Sequence, residues 1–239
     1  SRACELVVAD EIPPEGVDVL FFHGRARGDE KALLHYTAQL LKNGKVKQIV
    51  LPGYDGQTFK QGVNWEEQYE RGQDKYVSSV GRSGFAQILD EELEIVGYEA
   101  GLNGPIYFAS AQTRSTKEEN EAIAIYVAQF NEKQDEQIKS VALLAHSHQL
   151  PRAMLGMVAT LNKNKSGLLV YTVHPPETDW DIEVRGSQEQ NPMPRSAHAL
   201  PEMKRIPTYQ KKGDLASVEQ LLKYYEKRDG GLERIKELL

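Results

Sequence analysis

The chain has 239 residues, 40% hydrophobic and 27% charged, with a formal net charge of −6 from 29 Lys+Arg against 35 Asp+Glu, a globular balance with room for one large α/β domain. An acidic chain without a long basic stripe is not expected to bind nucleic acid, and no apolar run approaches the ~20 residues that span a bilayer. A single cysteine, Cys4, closes no internal disulfide, and with no signal-peptide pattern in the opening SRACELVVADE the expected location is cytoplasmic.

Residues 17–22 (VDVLFF) are a continuous apolar run of strand length. After the loop HGRARGDE, Asp29 can cap a helix over 30–43, where Leu33, Leu34, Thr37, Leu40 and Leu41 keep the spacing of a buried face. Asn43-Gly44 stops that helix, and residues 47–51 (KQIVL) form a second strand that ends in the turn signal Pro52-Gly53-Tyr54-Asp55-Gly56. Strand, helix and strand together have the length of one crossover unit.

Residues 57–97 read as a helical insert, polar at first with Trp65 and Tyr69 as anchors, then amphipathic over 85–96. A third strand follows at 105–109 (PIYFA). Ser115 and Thr116 both sit three residues before a glutamate, the capping-box spacing, and open a helix with Ala122, Ile123, Tyr126, Val127 and Phe130 on its apolar face. Residues 141–153, VALLAHSHQLPRA, begin as an apolar strand, break into His146, Ser147, His148 and Gln149, and enter a helix reaching about residue 162. Pro151 suits that helix's first turn, where its missing N–H is no loss.

A fifth strand at 167–173 (GLLVYTV) ends at His174. Residues 175–213, rich in proline, charge and isolated aromatics without a sustained period, are expected to form an extended loop or lid. Helices over 215–227 and 232–239 close the chain within 214–239, and residues 1–239 read as a single domain.

Five apolar strands alternating with helices predict a mainly parallel sheet covered on both faces. The carboxyl ends of such strands share one edge, where ligands bind. That edge is expected to collect His23, Gly24, Arg25 and Arg27; Gly53 and Asp55; Arg114, Ser115, Thr116 and Asn120; and His146, His148, Gln149 and Arg152, with His174 after the fifth strand. Four of the six histidines therefore fall together.

Arg25 and Arg27 beside one helix start, and Arg114 with Ser115 and Thr116 at another, suit an anion grip. Arg152 lies in the first turn of its helix, where a cation opposes the macrodipole, which favours a ligand contact. His148 is the candidate for chemistry. Ser147 between two histidines suggests a hydrolase, but Gln149 stands where a nucleophile elbow needs a small residue. No local metal signature is present, so no metal ligand is assigned; a phosphoester or metal-dependent hydrolase built on the histidine cluster is the alternative enzyme reading.

The motifs LLAHSHQLPRA and TRSTKEENEAIA resemble the bacterial DUF218 family (YdcF/SanA/ElyC-like) in order and layout over roughly residues 17–153. The resemblance implies a Rossmann-like three-layer α/β/α fold, S-adenosylmethionine or a nucleotide as possible cofactor, and, as a further alternative, a non-catalytic role in cell-envelope maintenance or interaction. The chain departs from the family pattern twice. Thr-x-Glu-Asn appears as Thr116-Lys117-Glu118-Glu119-Asn120 with one extra residue, and the family histidine falls on Gln149, with His148 one position early. The resulting expectation is a protein that binds an anionic small molecule, whether a nucleotide, S-adenosylmethionine or a phosphorylated metabolite.

Overall fold

The apolar runs become β1 (Val17–Phe22), β2 (Val46–Leu51), β3 (Ile106–Phe108), β4 (Ser140–Leu144) and β5 (Leu169–Val173), joined in the order β3-β2-β1-β4-β5 with every pairing parallel. The computed structural model describes residues 2–23, 30–52, 81–99, 105–109, 113, 115–176, 180–184 and 192–230. β1 is central, with Val19 opposite Gln48 on one side and Val141 on the other. Alternation along the strands divides the core in two. Val19, Phe21, Val50, Val141, Leu143 and Val170 face one layer, and Leu20, Phe22, Ile49, Leu51, Ala142 and Leu144 the other. Burial on both faces is why these strands read as unbroken apolar runs rather than alternating ones.

The first layer holds α1 (Arg2–Val8), α4 (Thr116–Lys133), α5 (Leu150–Asn164) and α7 (Val218–Asp229), and the second α2 (Glu30–Lys42) and α3 (Gly81–Ile95). The result is a three-layer Rossmann-like α/β/α arrangement. α3, the described part of the helical insert, packs Phe85, Ile88 and Leu89 into the same core as Leu33 and Leu34 of α2. Residues 57–80 and 232–239 lie outside the described residues.

Two segments differ from the sequence expectation. Residues 2–8 form α1, which buries Ala3, Leu6 and Val7; seven residues are too few to show a period against their flanks. The expected extended loop at 175–213 instead contains the short antiparallel pair β6 (Glu183–Val184) and β7 (Met193–Pro194) and a long helix, α6 (Arg195–Lys211). Pro201 and Pro207 lie inside α6, each removing a backbone donor. Its buried face is polar, formed by Arg195, His198 and Glu202 at helical spacing, so no hydrophobic period betrayed it. Its first amides are satisfied from the hairpin, Arg195 N donating to Ile182 O at 2.9 Å and Ser196 N to Trp180 O at 3.0 Å.

Polar clasps fix the termini and the sheet's amino edge. Arg228 of α7 grips Asp10 with two parallel hydrogen bonds of 2.7 and 2.8 Å, both side chains being buried. The guanidinium lies between the rings of Tyr171 and Tyr225, 4.4 and 4.6 Å from their centroids. At the amino end of β1, Asp18 Oδ2 accepts from Lys139 N and Ser140 N at 2.8 and 3.0 Å, tying the start of β1 to β4.

Candidate functional site

The strand order reverses direction between β1 and β4, the place where open α/β sheets leave a crevice. His23 begins on one lip of it. Its amide donates to Leu144 O at 2.7 Å, extending the ladder one step past β1. The ring is buried edge-on against Phe21, with Nδ1 2.7 Å from Glu119 Oε2 and Nε2 3.3 Å from Asn120 Oδ1. Asn120 is fully buried, and its amide group also donates to Ala153 O at 3.3 Å. Asn120 thus brackets β1, α4 and α5. Gly156 admits this bracket: a Cβ there would stand 2.4 Å from Asn120 Nδ2.

The other lip is the β4–α5 loop. His146 O accepts from Gln149 N at 2.8 Å and from Leu150 N at 3.2 Å, closing a tight turn that starts α5. Gln149 is the N-cap residue but makes no side-chain cap bond, so the first amides of α5 have no side-chain partner from it. Pro151 occupies the first turn, as expected.

The His146 and His148 rings stack with centroids 5.9 Å apart and planes 6° apart. His148 also stacks on His198 of α6 at 6.2 Å and meets Trp180 at the same distance, tilted 60°. His198 donates from Nε2 to Val184 O at 3.1 Å, and His174 from Nδ1 to Pro175 O at 2.8 Å. A carbonyl can only accept, so each bonded ring nitrogen carries a proton.

Beside this row of rings lies a cavity of about 610 Å³. It is walled by α1 (Cys4, Val8), the β4–α5 loop (Ser147, His148), His174, Trp180 and α6 (Ala199, Met203). Cys4 Sγ and Met203 Sδ meet across it at 3.7 Å.

Arg152, one residue past Pro151, projects from the first turn of α5 to the N-terminus of α4 and to α6. Its Nε lies 2.5 Å from Glu202 Oε2 and one terminal nitrogen donates to Thr116 Oγ1 at 2.6 Å. Arg205 holds the other Glu202 oxygen at 2.6 Å. Ser115 caps α4, its hydroxyl accepting from Glu118 N at 3.3 Å.

The structure therefore gathers His23, Ser115, Thr116, Asn120, His146, His148, Gln149 and Arg152 at one edge of the sheet. Gly24, Arg25, Arg27, Gly53, Asp55 and Arg114 lie outside the described residues. His198 and Glu202 join the cluster from 175–213, and only the helical spacing of the polar residues in α6 could have pointed to them. His35, by contrast, lies elsewhere, its Nδ1 2.6 Å from Glu92 Oε2 between α2 and α3. Among the described residues no three His, Cys, Asp or Glu side chains are grouped to hold a metal ion, and no helix is long and apolar enough to cross a membrane. No family model matches the chain, and no curated protein matches it significantly.

Proposed function

We propose that the protein is a DUF218-like cytoplasmic domain that binds an anionic small molecule (a nucleotide, S-adenosylmethionine or a phosphorylated metabolite) at the carboxyl edge of the sheet. The supporting observation is the start of α5. There a helix N-terminus without a side-chain cap stands at the strand-order reversal, with Arg152 in its first turn beside the cap of α4. The positive end of a helix, with a cation in its first turn, favours a phosphate or carboxylate at such a place. In this reading the ligand's anionic group displaces Glu202 from Arg152, and His148 and Gln149 face the specificity-setting group.

A thermal-shift screen with nucleotides, S-adenosylmethionine and sugar phosphates tests the reading, because a ligand of the folded state raises the melting temperature by mass action. The expected result is a shift with at least one anionic ligand that disappears in Arg152→Ala. A panel without any shift, or a shift unchanged in that variant, refutes it.

A further inference from the structure

The cavity between α1 and α6 differs in chemistry from the anion grip, and the inference drawn from it goes beyond that reading, sharing only His148 with it. Among its described lining residues there is no lysine or arginine, and the carboxylate-bearing Glu5 stands at the α1 side. An anion placed there would meet a like charge without a counter-charge. The remaining wall is apolar and soft: Val8 and Ala9, Pro151 and Pro176, Ala199, and the two sulfurs. Thioether and thiol sulfurs make favourable contacts with aromatic ring edges. Three flat side chains, His148, His174 and Trp180, supply ring faces and edges, and Trp180 remains 40% exposed beside the space.

One polar group is left over. Ser147 is only 6% exposed and lines the cavity, and its hydroxyl has no hydrogen-bond partner among the described residues. Burying a hydroxyl without a partner is costly, and native structures seldom leave one so. A volume of about 610 Å³ is also well within the range of small-molecule sites, and far more than one water needs.

We propose that this cavity is a binding site for an uncharged aromatic molecule, or the uncharged aromatic part of a larger ligand, of about bicyclic size, whose ring polar group hydrogen-bonds Ser147 Oγ. The ring lies against Trp180 and His148, with the Cys4 and Met203 sulfurs at its edge. An aliphatic alcohol could fill the volume and reach the Ser147 hydroxyl but would leave the ring faces unused.

Equilibrium dialysis of the full chain against 2-naphthol, neutral at pH 7 and bearing one hydroxyl, is the test. Decan-1-ol serves as the aliphatic comparison and inorganic phosphate as the anion. The expected result is saturable uptake of one 2-naphthol per chain, tighter than decan-1-ol. Ser147→Ala should weaken it about tenfold, the equivalent of one hydrogen bond. Ala199→Phe, which fills the cavity from α6, should abolish it, both variants keeping the wild-type far-ultraviolet spectrum. Absence of 2-naphthol binding, tighter binding of decan-1-ol, or binding unchanged in both variants overturns the proposal. Inorganic phosphate in excess does not displace 2-naphthol from the wild-type chain, so failure of the anion reading and failure of this one are separately visible.

Discussion

Arg152 Nε and Glu202 Oε2 lie 2.5 Å apart, joining the first turn of α5 to the middle of α6. The contact explains how a cation tolerates the positive end of a helix: a carboxylate from a second helix, itself shared with Arg205, supplies the compensating charge. It also places an acidic group of this chain where the proposed ligand's anion would sit.

Glu202→Gln should therefore act in opposite directions on folding and on binding. Loss of a charge-assisted bond in a largely buried setting is expected to cost about 1–3 kcal/mol, read as a lower urea midpoint. With the competing carboxylate gone, affinity for inorganic phosphate should rise, measured by calorimetric titration. A variant that is less stable but no better at binding phosphate would show the pair to be purely structural.

Gly156→Ala sets helix propensity against packing. Alanine favours the helix by about 1 kcal/mol, but the added Cβ would stand 2.4 Å from Asn120 Nδ2, an atom held by Ala153 O. Overpacking of this kind costs about 1–3 kcal/mol, so net destabilisation is expected. In an Asn120→Ala background the clash is gone, and the same substitution should become neutral or stabilising in urea unfolding.

The Asp10–Arg228 pair is buried at both ends. Burial pushes the Asp10 carboxyl up from its ordinary value, and the hydrogen bonds and charge of Arg228 offset this only in part. Replacing one member strands the other, so Arg228→Met should cost about 3–5 kcal/mol. The double variant Asp10→Asn, Arg228→Met keeps an acceptor for Thr172 N, which donates to Asp10 Oδ2 at 3.0 Å. It should recover most of that loss, a non-additivity measurable in a double-mutant cycle.

Asp18 gives the fold a dependence on acid. Burial raises its carboxyl, but the hydrogen bonds from Lys47, the Lys139 amide and Ser140 outweigh that and hold the pKa below the ordinary 3.8. The folded state therefore takes up this proton less readily than the unfolded chain. The stabilisation is complete above pH about 4 and is lost as pH falls through the lowered value. Asp18→Asn should be less stable than wild type at neutral pH by roughly 1–2 kcal/mol, with the gap closing towards pH ~2. A gap that stays constant across this range would show that the carboxylate's charge is irrelevant.

The sequence by itself determined the sheet. Runs such as VDVLFF and VALLA are apolar on both faces, which only a covered parallel sheet uses, and each strand core was legible with its helix. It also placed His23, Thr116, His146, His148 and Arg152 on one edge, since carboxyl ends of parallel strands must share it. Tertiary structure decided what these side chains do there. Asn120 turned inward to bracket His23, and Arg152 turned towards Glu202, 50 residues further along the chain. Neither contact leaves a trace in local spacing, because charge pairing between distant helices has no period. α6 was hidden for the same reason: its buried face is made of Arg195, His198 and Glu202, and polar residues are buried only when a distant partner satisfies them. The partners, and with them the cavity beside Ser147, exist only once the chain has closed.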